Sequence, residues 1–232
     1  VRSRGLGDVY KRQTLVAVIL VFRKELLLML RSLFVSPAVR KADPELSLFF
    51  QWNINIIIAT LPAVAVGLLL KDSIDRIFDN ILITFVMLAL TGVTMVLTRF
   101  IRDRGKQVSP SRALTIGMAQ ALAIMPGLSR SGSTIFAGIL LGVNRETAAR
   151  FSFIMSIPAI LGAVVLNMGE LIASPPSIDR LFAILAGTLA STISGYYAIV
   201  LLMKIVRRGK LEWFGYYCLL VSGAGLGWYL VR

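Results

Sequence analysis

From Pro126 to Thr134 the chain reads Pro-Gly-Leu-Ser-Arg-Ser-Gly-Ser-Thr, which puts one guanidinium, three serines, a threonine, two glycines and a proline into nine residues. These are groups that bind an anion. Gly127 and Gly132 allow backbone conformations that a Cβ resists, and they let a ligand approach the main chain. Arg130 offers a planar fork that bonds two phosphate oxygens at once, and Ser129, Ser131, Ser133 and Thr134 add hydroxyls. Ser133 and Thr134 lead into the apolar run 135–141. The free amides of a helix starting there would point back at the loop, where a phosphate is well satisfied. The plainer alternative is a helix break followed by a capped helix, with no ligand. Arg130 favours the first reading, because an arginine at membrane depth costs roughly 2.5 to 3.5 kcal/mol on insertion scales and needs a partner. The next acidic residue along the chain is Glu146.

The elements that must position this loop are apolar. Hydrophobic residues make up 56% of the chain and charged ones 16%, and mean hydropathy is +0.78. Several runs reach the roughly 20 residues that a bilayer-spanning helix needs, so the fold class is an all-α, polytopic integral membrane protein. The net charge of +13 does not point to nucleic acid, since the basic residues cluster in short loops between apolar runs, as the positive-inside bias predicts. The single cysteine, Cys218, excludes an internal disulfide, and the absence of histidine removes the commonest general base and metal ligand.

Residues 1–13 lack an initiator Met and do not resemble a signal peptide, so they read as a non-native tail. The run 14–22 is too short to span before Arg23, Lys24 and Glu25 intervene, and reads as the remnant of a first span. Runs 48–70, 81–98, 151–168, 181–203 and 214–231 read as full spans. Asn53 and Asn55, inside the first of these, are expected to bond within the bundle. Basic loops at 99–112 and 204–210 mark the cytoplasmic side, and the loops around Asp75 and Ser177 the outer side. The parity closes only if 113–125 and 135–143 form a re-entrant hairpin with Pro126 to Thr134 at its tip, an arrangement allowed where irregular backbone is buried or lines a wet cavity. The expected organisation is a first repeat over 14–98 with three spans, a basic loop over 99–112, and a second repeat over 113–232, comprising the hairpin (113–143) and three spans. A repeat with an odd number of crossings inserts in the opposite sense, so the two would be inverted, and a second hairpin is expected upstream of residue 14. Gly223, Gly225 and Gly227 would allow close helix packing within the fold or in a homodimer. The tryptophans Trp52, Trp213 and Trp228 read as interfacial anchors or packing residues.

Ala119-Gln120-Ala121-Leu122-Ala123, then Pro126 to Thr134, then Ala137-Gly138 and Leu140-Leu141-Gly142 resemble the second signature region of bacterial undecaprenyl-pyrophosphate phosphatases, the bacitracin-resistance family. The similarity continues through Asn144-Arg145-Glu146, the segment 148–153 and Ile157-Pro158-Ala159. It is looser at Ala17-Val18, Phe22-Arg23-Lys24 and Ala59-Thr60-Leu61-Pro62. The resemblance implies hydrolysis of undecaprenyl pyrophosphate in the bacterial inner membrane, recycling the lipid carrier of cell-wall synthesis with a divalent cation, Mg2+ or Ca2+. It also implies that Ser129, Arg130 and Thr134 grip the pyrophosphate, with Gly127, Ser131, Gly132 and Ser133 around it, and that Gln120 stands where the family has Glu or Gln. The family's first signature, a Glu-rich helix and a histidine-bearing loop, would precede residue 14. Without it, this chain is expected to bind the lipid weakly and cleave it little.

The residues themselves agree with that division. Breaking a phosphoanhydride requires positioning and charge neutralisation together with an activated nucleophile. Ser129 or Ser131 beside no base is a weak nucleophile, so a binding role ranks above a covalent one. Glu25 and Glu146 read as charge partners at helix ends, and the metal ligands stay unassigned. A lipid-phosphate transporter or flippase built on the same inverted architecture is the alternative.

Overall fold

The computed structural model describes residues 15–69, 78, 80–173 and 178–231, and its regular structure there is helical. The readings made for residues 1–13 and for the loops around Asp75 and Ser177 fall outside the described residues. Residues 15–21 are helical. They are followed by α1 (Arg23–Phe34), α2 (Pro37–Ala42), α3 (Pro44–Leu69), α4 (Ile81–Leu97) with a 3-10 turn at Thr98–Phe100, α5 (Pro110–Leu122), α6 (Arg130–Leu140), α7 (Arg145–Ala173), α8 (Ile178–Arg207) and α9 (Glu212–Val231).

Several of the helix starts are set by a local hydrogen bond. Asp43 Oδ1 accepts the amides of Glu45 and Leu46 at 2.9 and 3.2 Å, and Asn80 Oδ1 accepts those of Leu82 and Ile83 at 3.0 and 3.4 Å. Asn144 Oδ1 does the same for Glu146 and Thr147 at 3.0 and 3.2 Å. Such side chains satisfy amides that have no acceptor inside the helix.

The charges at Arg23 to Glu25, which cut the apolar run short, do not end the helix. The Phe22 amide bonds to the Val18 carbonyl at 3.0 Å and the Leu26 amide to the Phe22 carbonyl at 2.9 Å, so the ladder runs on from residues 15–21 into α1.

Helices α3, α4 with its 3-10 turn, the 185–207 part of α8, and α9 are each long and apolar enough to cross a membrane. At most 22% of any such window is buried in the protein. Leu69 at 81% exposure and Leu220 at 72% are typical of what remains. Surface of this kind is stable only in an apolar solvent, and the helix satisfies its own backbone there. The expected run 151–168 lies inside α7, which has 29 residues.

The interior is held by close helix contacts. At the α4–α9 crossing, a Cβ on Gly92 would lie 2.9 Å from the Gly215 carbonyl oxygen, and one on Gly215 would lie 2.7 Å from that of Gly92. Gly225 rests on the Phe85 ring, whereas Gly223 and Gly227 face open space. Trp52 is buried and meets the Phe151 ring edge-on at 5.6 Å. Asn53 donates to the Met29 carbonyl and the Ser32 hydroxyl, both at 3.1 Å, and Asn55 donates to the Val108 carbonyl at 2.8 Å. Both asparagines thus bond within the bundle, as their sequence context requires.

Helices α5 and α6 form a hairpin whose two feet are joined. The Lys106 amide donates to the Gly142 carbonyl at 3.1 Å, and the Asn144 amide donates to the Lys106 carbonyl at 3.3 Å. Arg145 Nη2 reaches the carbonyls of Thr98 and Ile101, both at 2.8 Å, and Arg207 Nη2 reaches Glu146 at 2.7 Å. These bonds bring the basic loop 99–112 and the basic end of α8 to the same end of the molecule.

Candidate active site at the tip of the helical hairpin

The tip is built in three steps. After Leu122 the helix tightens, with the amides of Ile124 and Met125 bonding to the carbonyls of Ala121 and Leu122 at 3.3 and 3.2 Å. The Leu128 amide then closes a turn onto the Met125 carbonyl at 3.2 Å, with Pro126 in the second position and Gly127 in the third at φ 86°. That is the type II turn, in which proline presets the second residue and the third needs a positive φ. A side chain at Gly127 would also run into the Thr84 carbonyl. Finally Ser129, in extended conformation, caps α6, its Oγ accepting the Gly132 amide at 3.2 Å. Gly132 makes room for this cap, because a Cβ there would stand 3.0 Å from both Cβ and Oγ of Ser129.

The helix therefore begins at Arg130, five residues before the Ile135 start inferred from the apolar pattern. Ser131, Gly132, Ser133 and Thr134 lie in its first turns and not in the loop. The consequence for an anion is a shift of site. The Arg130 and Ser131 amides occupy positions with no intrahelical acceptor and find none among the described residues, so the amides available to a ligand are these two.

The loop is pinned from a different helix. Thr91 of α4 is 3% exposed, and its hydroxyl accepts the Ser129 amide at 3.0 Å. The same Oγ1 lies 3.2 Å from the Gly127 carbonyl and 3.1 Å from its own Met87 carbonyl, either of which its proton can serve. Sequence reasoning missed Thr91. Its one signal was a hydroxyl in the middle of an apolar run.

The residues singled out in the sequence fall into two groups. Arg130 is exposed, and its guanidinium makes no ion pair or hydrogen bond with any described residue; Ser129, Ser131, Ser133 and Gly127 lie beside it along the tip, half-buried, with Gly132 buried among them. Thr134 is buried at 1% exposure, and its hydroxyl meets the carbonyls of Arg130 and Ser131 at 3.0 and 3.1 Å and the hydroxyl of Ser152 on α7. In this structure Thr134 holds the first turn of α6 against α7. Gln120, on the last turn of α5, is 3% exposed, and its Nε2 is buried without a partner among the described residues. An unsatisfied buried donor costs about 1 to 3 kcal/mol.

The tip offers hydroxyls, amides and a guanidinium, with no carboxylate among the described residues, and no group of three metal-ligating side chains occurs among them. A divalent cation does not fit this donor set, since hard cations take oxygen ligands led by carboxylates.

At the base of the hairpin the charges are paired. Arg150 joins Glu25 of α1 and Glu146, and Arg207 of α8 joins the same Glu146 oxygen. Burial alone would raise the Glu146 pKa, but the hydrogen bonds and charges of Arg150 and then Arg207 bring it below the usual carboxylate value. Glu25 and Glu146 thus serve as charge partners at helix ends.

Fold and tip together define a polytopic, all-α membrane protein whose helical hairpin presents an unpaired arginine at a capped helix start. The family model of the bacitracin resistance protein BacA matches residues 9–224, and the chain belongs to that family. It is 36% identical over 212 residues to undecaprenyl-diphosphatase 2 of Bacillus thuringiensis, a match covering 90% of this chain and 77% of the relative. It is 40% identical over 222 residues to the undecaprenyl-diphosphatase of Desulforapulum autotrophicum, covering 90% and 78%. To that of Christiangramia forsetii it is 42% identical over 187 residues, covering 76% and 69%.

Proposed function

We infer that this chain is an undecaprenyl-diphosphatase, which hydrolyses undecaprenyl pyrophosphate to undecaprenyl phosphate and inorganic phosphate and so returns a lipid carrier to cell-wall synthesis. Family membership carries the activity, and the unpaired Arg130 guanidinium carries the site. The fork of Arg130 bonds two oxygens of the pyrophosphate, and the Arg130 and Ser131 amides bond a third. The hydroxyls of Ser131 and Ser133 add donors, and Gly127 lets the phosphate approach the backbone. Ser129, Gly132, Thr134 and Thr91 hold these groups in place. As the anhydride bond breaks, charge gathers on the bridging and terminal oxygens, and fixed donors lower the barrier by meeting it there. Gln120, buried on the other arm of the hairpin, keeps an unpaired Nε2 donor. Any divalent cation fits better as one carried on the substrate's own oxygens.

The charges support an orientation in the membrane. The end that collects the basic loops faces the cytoplasm, the hairpin enters the bilayer from that face and returns to it, and the membrane is the bacterial inner membrane. Transport of an uncleaved polyprenyl phosphate, the other reading of the sequence, finds no support in the relatives.

The test is phosphate release from undecaprenyl pyrophosphate in detergent by the wild type, Arg130→Ala and Arg130→Lys. Loss of release in both variants is expected, because lysine keeps the charge but not the fork. Normal release by Arg130→Lys would make Arg130 a general counter-charge and remove the clamp.

A further inference from the structure

A second place in the molecule is built for an anion, away from the hairpin tip. A cleft of about 490 Å³ opens at the basic end between the helix of residues 15–21, α7 and α8. It is lined by the basic side chains Lys204, Arg207 and Arg208, by the apolar Val21, Phe22, Val200 and Met203, and by Glu25 and Arg150, which are paired with each other. The arrangement is set by helix geometry. Val200, Lys204 and Arg208 are spaced four apart and share one face of α8, and the Arg208 amide still bonds to the Lys204 carbonyl at 3.2 Å, which carries that face past the helix end. One stripe therefore changes from apolar to doubly basic within two turns.

The nearby carboxylates are already engaged. Glu25 is held by Arg150, and Glu146 is shared between Arg150 and Arg207. Lys204 and Arg208 are exposed and form no ion pair with any described residue. A small anion would use the basic side chains and leave the apolar lining bare. We propose that this cleft binds the headgroup of an anionic phospholipid, with its phosphate between Lys204 and Arg208 and the start of an acyl chain along Val200 and Val21. The chain's position at the end of a membrane-spanning helix puts the headgroup at the level where lipid phosphates lie.

The inference does not depend on hydrolysis, and its test reads lipid retention. The full chain is taken from bilayers of phosphatidylglycerol mixed with phosphatidylcholine, and the phosphatidylglycerol that stays bound is counted by native mass spectrometry. Lys204→Gln with Arg208→Gln should lower retention by roughly ten- to thirtyfold, and Arg208→Gln alone by about fivefold, in line with the contribution of each basic residue near an anionic surface. The pair Arg102→Gln and Arg104→Gln, in the other basic loop at this end, should leave retention unchanged, and millimolar inorganic phosphate should not displace the lipid. Equal loss in both pairs would reduce the effect to general surface charge and overturn the proposal. Full retention in the Lys204 and Arg208 variants, or displacement by inorganic phosphate, would overturn it as well.

Discussion

At the base of the hairpin Arg145, Arg150 and Arg207 are bound to carbonyls or carboxylates of neighbouring helices, whereas at its tip Arg130 is bound to none among the described residues. The same side chain performs two jobs. At the base it replaces loop and helix-end contacts that would otherwise need packing, and it ties α1, α7 and α8 into one unit. At the tip no carboxylate among the described residues stands beside it. The Ser129 hydroxyl takes the Gly132 amide and Thr134 meets Ser152, whereas the guanidinium and the two helix-end amides have no acceptor among the described residues. A site is marked less by its residue types than by which of them the fold leaves unsatisfied.

If the comparison holds, variants at the tip lose turnover and variants at the base lose stability. The largest effect is expected for Arg130→Ala, with phosphate release falling roughly 100- to 1000-fold, the range seen when one charge-stabilising donor is removed, and an unchanged unfolding midpoint. Gly127→Ala comes next. A non-glycine residue at φ 86° is strained by about 1 to 3 kcal/mol, and its Cβ meets the Thr84 carbonyl. Turnover and thermal midpoint should fall together, and a fully active, equally stable variant would contradict the turn geometry.

Thr91→Val keeps the shape of the side chain but removes the acceptor for the Ser129 amide and the donor to the Gly127 carbonyl. At about 0.5 to 1.5 kcal/mol per hydrogen bond, turnover should drop about tenfold, and Thr91→Ser should restore most of it. A structural role alone would move the midpoint and leave the kcat of the folded fraction intact.

The smallest effect belongs to the base. The Glu146 pKa lies below its ordinary value of 4.5, so its contribution to stability is fully present above that value and is lost as the pH falls through the lowered pKa. Glu146→Gln should therefore reduce the thermal midpoint modestly at pH 7 and make almost no difference at strongly acidic pH, since the side chain is about one third exposed and screened by water. Phosphate release at pH 7, per folded molecule, should be unchanged.

The tip was legible because glycine, proline and serine announce themselves locally. Pro126-Gly127 specifies its turn, and the serines, threonine and Arg130 beside it mark a polar segment, all within a few residues. The start of α6 was not, because Arg130 to Thr134 carry no apolar periodicity and the pattern becomes visible only at Ile135. The helix running through Arg23 to Glu25 was hidden for the converse reason: charges that end a span need not end a helix. Thr91 and Ser152 lay out of reach altogether. They act on the tip across 38 and 18 residues of chain, respectively, through single hydroxyls that have no sequence signature.

The most direct test of the central claim is protection of arginines from phenylglyoxal. The protein in detergent would be treated with and without undecaprenyl pyrophosphate, and each modified arginine quantified by peptide mass spectrometry. Arg130 should react rapidly in the free protein and be strongly protected by the lipid. Arg145 and Arg150 should react slowly with or without it, and Arg208 should be insensitive to the pyrophosphate. Slow modification of Arg130, or modification that the lipid leaves unchanged, would contradict the account of the tip as the pyrophosphate clamp.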